Sequence, residues 1–147
     1  MEANADVLDF FRKIIALTKR YPILQRRKFF TGKDMDGDLV PDILWFGKEL
    51  DRPGWDDPEL RTISCLLDGG EEPSEAGEYL LFILLNADFR PQTVRIPPLD
   101  PGKRWRRVID TSLDVGDDFR GEGDEVLLDP PDCYVANPRS TVVLIGK

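Results

Sequence analysis

Tyr79-Leu80-Leu81-Phe82-Ile83-Leu84-Leu85 decides the fold. A strand turns alternate side chains to opposite faces, so a run with no polar side is apolar above and below, and both faces must be covered. It predicts a central strand. At seven residues it falls far short of the roughly 20 that cross a bilayer, so the chain reads as soluble, without a membrane partner. Gln92-Thr93-Val94-Arg95-Ile96, by contrast, alternates and reads as half exposed. Six more short segments bounded by turn residues read as strands: Asp42 to Phe46, Thr62 to Leu67, Trp105 to Asp110, Glu125 to Leu128, Cys133 to Ala136 and Thr141 to Ile145. About eight short strands with no helices between them predict an all-β antiparallel sandwich or barrel.

Upstream the period changes. From Ala5 to Arg20, apolar residues at Val7, Phe10, Phe11, Ile14 and Leu17 fall on one face of a helix. Asn4 or Asp6 can cap its start, and Pro22 disfavours helix at Tyr21. A lone amphipathic helix needs a surface to lean on. The connections Asp68 to Ser74 and Ile96 to Gly102, rich in breakers and charge, are expected on the surface.

Composition bounds the function. At 147 residues, 41% hydrophobic and 33% charged, the chain has the length and balance of a globular domain with its own core. A formal charge of −8 and a pI near 4.6 argue against nucleic acid as a partner. Two basic clusters, Arg26-Arg27-Lys28 with Lys19 and Arg20, and Arg104 with Arg106 and Arg107, read as solvated faces or contacts to an acidic neighbour, since aromatic stacking partners are not interleaved with them. The opening Met1 to Asp6 lacks the basic and apolar regions of a secretory signal. Cys65 and Cys133, each among apolar neighbours, are expected as buried free thiols, in keeping with a reducing cytoplasm.

Two groups of residues invite a binding site. Asp34, Asp36 and Asp38 alternate, and Asp42 follows at the ninth position, so the four carboxylates could wrap a hard cation such as calcium. The helix–loop–helix calcium loop wants Gly at its sixth place and Glu at its twelfth, where Leu39 and Trp45 stand. The plainer and favoured account is a polar turn, with Gly37 supplying a positive dihedral. Trp45, Trp55 and Trp105 could offer flat indole faces to glucose rings, although Trp45 and Trp105 lie inside strand patterns and favour burial. Trp55, in Pro53-Gly54-Trp55-Asp56-Asp57-Pro58, is expected to be the most exposed. No histidine is present, which excludes Ser-His-Asp and Cys-His machinery. With 28 acidic residues, proximity of two carboxylates carries little information, and Gly121-Glu122-Gly123-Asp124 lacks the strand-to-helix setting of a phosphate loop.

Several pieces share one likeness. Tyr21-Pro22-Ile23-Leu24, Phe29-Phe30-Thr31-Gly32, Asp42 to Phe46, Trp55 to Arg61, Leu66-Leu67-Asp68-Gly69, Tyr79 to Ala87, Trp105 to Thr111 and Pro138-Arg139-Ser140 resemble, in order, the C-terminal part of bacterial isoamylase-type glycogen debranching enzymes of the α-amylase superfamily. The resemblance implies that residues 1–26 are the last helix and linker of a catalytic barrel, and 27–147 an all-β sandwich bracing it. It implies a parent that cuts α-1,6 branch linkages by a retaining route, with its two catalytic carboxyls on barrel strands outside this chain. No catalytic residue is carried over, and no cofactor is expected beyond the calcium considered above. The stripe Val7, Phe11, Ile14 and Leu17 would pack on the barrel or on the sandwich. A carbohydrate-binding module gripping α-glucan without cutting it is the rival, and a homodimer through the barrel-facing surface is the alternative cover.

Overall fold

The computed structural model describes residues 4–72 and 75–147. Helix α1 (Ala5–Arg20) runs into a 3-10 turn (Pro22–Gln25), as the fixed φ of proline at a first helical position allows. Among the described residues eight strands follow: β1 (Ile43–Phe46), β2 (Thr62–Asp68), β3 (Leu80–Asn86), β4 (Gln92–Arg95), β5 (Trp105–Asp110), β6 (Val126–Leu127), β7 (Cys133–Ala136) and β8 (Ser140–Gly146). They form a six-stranded antiparallel sheet in the order β1-β2-β3-β8-β5-β6 and a two-stranded sheet of β4 and β7. The expected all-β, sandwich-like architecture with one N-terminal helix is present. Asn4 caps α1, but its side chain makes no cap hydrogen bond. Met1 to Ala3, and Pro73 and Ser74 of the expected surface connection, lie outside the described residues.

β3 is central, as its composition required. It pairs along its whole length with β2 on one edge and β8 on the other. Its two faces meet different covers. Phe82 and Leu84 point into a core closed by Val94, Ile96 and Ala136 from the β4–β7 side, with Trp105, Val142 and Leu144. Leu81 points the other way, into a core where Phe10, Ile14 and Leu17 of α1 pack against Cys65, Val143 and Ile145.

α1 is joined to this second face through rings. Phe10 meets Phe119 edge-on at 6.1 Å, and Phe119 bridges Ile109 on β5. Tyr21, at the C-terminal end of the helix, lies 4.8 Å from Tyr79 just before β3. Gly69 makes room for that ring, since a Cβ there would fall 2.4 Å from the Tyr79 carbons. A register shift between Arg107 and Ile109 lets Val108 and Ile109 join the same core, which a regular alternation would forbid.

The expected single helical stripe is two stripes. Ile14 and Leu17 pack on the sheet, together with Phe10, whereas Val7 and Phe11 are exposed, as are Leu8 and Ile15. The thiols also differ: Cys65 is buried and Cys133 only half-buried, both unpaired. No helix among the described residues is long and apolar enough to cross a membrane.

Candidate docking surface

The four aspartates of the acidic segment do not act together. Asp42 is fully buried and points inward: it accepts from Arg26 Nη1 at 2.8 Å, from the Gly32 N–H at 2.7 Å and from the Thr31 N–H at 2.8 Å. Burial alone would raise its pKa, but these donors from Thr31, Gly32 and Arg26 outweigh it and hold the carboxyl below its ordinary value. Asp42 is therefore spent as a latch and corrects its expected place in a cation site. Arg26, expected on a solvated basic face, is its buried partner, also reaching Glu72 at 3.3 Å.

Asp34, Asp36 and Asp38 do converge, with one oxygen from each within 4.8 Å of the others. They are turned on their own backbone. Asp34 accepts from the Gly37 and Leu39 N–H groups, Asp36 from Asp38, and Asp38 from Val40. The Gly37 N–H leads the donors that hold the Asp34 carboxyl below its usual range. These bonds close a polar turn, with Gly37 at a φ of 92°.

Trp105 is corrected as a sugar platform: it is 3% exposed, and its Nε1 donates to the Pro97 carbonyl at 2.7 Å. Neither indole face is free. Trp45 and Trp55 come together instead, ring centres 5.7 Å apart and planes at 76°, with 42% and 52% of their surface exposed. The pairing register places Trp45 opposite Cys65, Cys65 opposite Ile83, Ile83 opposite Val143 and Val143 opposite Ile109. Cross-strand partners share a face, so Trp45 stands on the helix-bearing side, four strand spacings or roughly 19 Å from Ile109. In the next row Leu85, 40% exposed, stands opposite Ile63 on that same side.

On the sheet face that carries α1, Trp45 and Leu85 are thus exposed while Cys65 on the strand between them is buried. At 100° per residue, the flank of α1 carrying Lys13, Ala16 and Arg20 looks toward Phe119 and Glu122, with which those residues line a cleft of about 340 Å³. The opposite flank carries Val7 and Phe11, both exposed. Leu8 and Ile15 continue this exposed surface outward. The sequence carried a signal for it: with Leu8 and Ile15 counted, apolar side chains span half the helical circle, wider than one buried stripe requires.

Comparison with known proteins places the surface in context. Residues 44–132 match the family model described as isoamylase 1-3, C-terminal. The chain is 32% identical over 127 residues to a glycogen operon protein GlgX homolog from Mycobacterium tuberculosis, covering 80% of this chain and 18% of that protein. It is 29% identical over 122 residues to isoamylase 2, chloroplastic, from Arabidopsis thaliana, covering 77% and 13%. It is 24% identical over 150 residues to an isoamylase from a Flavobacterium species, covering 98% and 19%. The chain therefore spans less than a fifth of the length of these relatives. With a matching family model over more than half its length, the chain belongs to the C-terminal domain family of isoamylase-type debranching enzymes.

Proposed function

We infer that this domain is the non-catalytic accessory part of a glycogen-debranching glycoside hydrolase acting on α-1,6 branch linkages, and that its work is to cover and brace the catalytic part. One observation carries this: the apolar surface of Val7, Leu8, Phe11 and Ile15 lies on the first helix of a domain that spans less than a fifth of the relatives' length in alignment. Such a surface in water is unfavourable by roughly 25 cal/mol for each Å² that a partner would cover.

The acid–base chemistry supports a non-catalytic role. A retaining glycosidase needs one carboxyl held protonated as donor, through a raised pKa. Asp34, Asp42 and Glu125 are each held below the ordinary carboxyl value, the opposite of what a proton donor requires. Two unpaired thiols fit a reducing compartment such as the cytoplasm. Incubation of the purified chain with glycogen at high protein concentration is expected to release no reducing ends, and release in proportion to protein would end this reading.

The Trp45–Trp55 pair favours a second reading, an α-glucan-binding module. Affinity electrophoresis in a glycogen gel separates the two. Unretarded migration supports the brace, and retardation abolished by Trp55→Ala supports the module.

A further inference from the structure

We propose that the outer edge of β1 pairs with the β1 edge of a second copy of this chain, antiparallel about a two-fold axis at Leu44, so that two six-stranded sheets join into one. This goes beyond the accessory reading and uses an edge of the sheet, not the face that bears α1.

The backbone alternation fixes which groups are on offer. Asp68 donates its N–H to the Asp42 carbonyl, and Ala87 donates to that of Arg61. In the β1–β2 register, the first bond makes Leu44 with Leu66 and Phe46 with Ser64 the hydrogen-bonded pairs. The second bond agrees, since it turns Ile63, Cys65 and Leu67 of β2 toward β3 and leaves Ser64 and Leu66 for β1. Ile43 and Trp45 therefore aim their N–H and C=O groups away from the sheet. Among the described residues, no turn or loop takes up those four groups. Sheet edges are commonly guarded by lysine, proline or a bulge, and Ile43-Leu44-Trp45-Phe46 has none of these. The other end of the sheet offers less: with Leu128 donating to the Trp105 carbonyl, only Leu127 of the two β6 residues turns outward.

Two outward residues flanking one inward residue make a self-complementary edge. In antiparallel pairing about Leu44, Ile43 of each copy exchanges both hydrogen bonds with Trp45 of the other, and Leu44 meets Leu44 on the axis. Ile43 and Trp45 share a face, so each indole gains a β-branched neighbour across the junction. Charge selects this direction. Asp34, Asp36 and Asp38 precede β1, whereas the charges of Lys48, Glu49, Asp51 and Arg52, which follow it, balance. Antiparallel pairing sets the acidic turn of one copy beside the balanced segment of the other, and parallel pairing would set the two acidic turns together, where they repel.

Amide hydrogen exchange of the 147-residue chain reads the edge residue by residue. In dilute solution Leu44 and Phe46 are expected to be protected, and Ile43 and Trp45 to exchange as fast as exposed loop amides. So short a contact associates weakly, so Ile43 and Trp45 should slow about threefold or more as concentration rises from about 10 µM to about 1 mM, in step with a dimer in sedimentation. Ile43→Pro removes an outward donor while leaving the β1–β2 bonds in place, and it is expected to abolish the dimer. Should that variant not fold, Trp45→Lys guards the edge with the same expected result. Phe11→Glu, on the exposed side of α1, is expected to leave the dimer intact. A chain that stays monomeric throughout overturns the proposal. So does a dimer in which Ile43 and Trp45 remain fast, whether Phe11→Glu dissolves it or Cys133 and Val135 of β7 slow instead. Protection of Ile43 and Trp45 already in the dilute monomer would show that the chain covers its own edge, with the same consequence. None of these results bears on the accessory reading, which the glycogen assay tests separately.

Discussion

The two faces of the six-stranded sheet end in different states. On one, Phe82, Leu84, Val142 and Leu144 are fully buried beneath β4 and β7. On the other, Leu81 and Ile145 are fully buried, but Leu85 is 40% and Trp45 42% exposed. The first face is closed by this chain's own strands, and the second is closed only as far as α1 reaches. A core that is sealed serves stability, and an apolar surface left open beside it is what the proposed association would cover.

This contrast can be broken most forcefully at the sealed face. Phe82→Ala empties a fully buried site between Phe46 and Trp105 and is expected to destabilise the chain by about 3–5 kcal/mol in urea unfolding. Phe11→Ala, at a residue 60% exposed, is expected to change the same midpoint by no more than about 0.5 kcal/mol. Equal losses would mean that α1 is seated differently. The latch at the junction of the helical segment and the sheet should rank near the first. Asp42→Ala takes from buried Arg26 the nearer of its two carboxylates, leaving Glu72, and strips the Thr31 and Gly32 N–H groups of their acceptor, expected to cost about 2–4 kcal/mol.

The latch also has a pH signature. Its carboxyl is held lower in the folded chain than in the unfolded one, so its contribution is complete above the ordinary aspartate value and is lost as pH falls through the depressed folded value. Stability of the wild type should therefore fall in acid more steeply than that of Asp42→Asn, and parallel acid profiles would remove the carboxylate from this role. Thiol chemistry gives a smaller contrast. Burial pushes Cys65 up to about 11, so at pH 8 Cys133, half-buried, should be alkylated first. The smallest effect belongs to calcium: with Asp42 withdrawn and Asp34, Asp36 and Asp38 accepting from backbone N–H groups, titration at millimolar calcium should give no heat.

Much of the fold was legible because strand periodicity is a local property. β3 declared itself central by having no polar side, and β4 declared itself partly exposed by alternating. The helix was legible in extent, but not in how its apolar arc divides, because that depends on where Phe119 lies, 109 residues beyond Phe10. Trp45 and Trp105 looked alike in sequence, both inside strands. Trp45 falls on an edge strand at the uncovered end of one face, and Trp105 falls under the β4–β7 sheet, where the Pro97 carbonyl takes its N–H. Asp42 was read with its neighbours in an acidic segment, and only the return of Arg26, Thr31 and Gly32 onto it reveals its separate use.

Sedimentation of this chain with the catalytic polypeptide of its parent, comparing wild type with the Val7→Glu, Phe11→Glu double variant, tests the interface most directly. The wild type is expected to form a one-to-one complex, and the variant to remain free with an unchanged urea midpoint. A variant that binds as well as the wild type would show that the open helical face is not where the two parts meet.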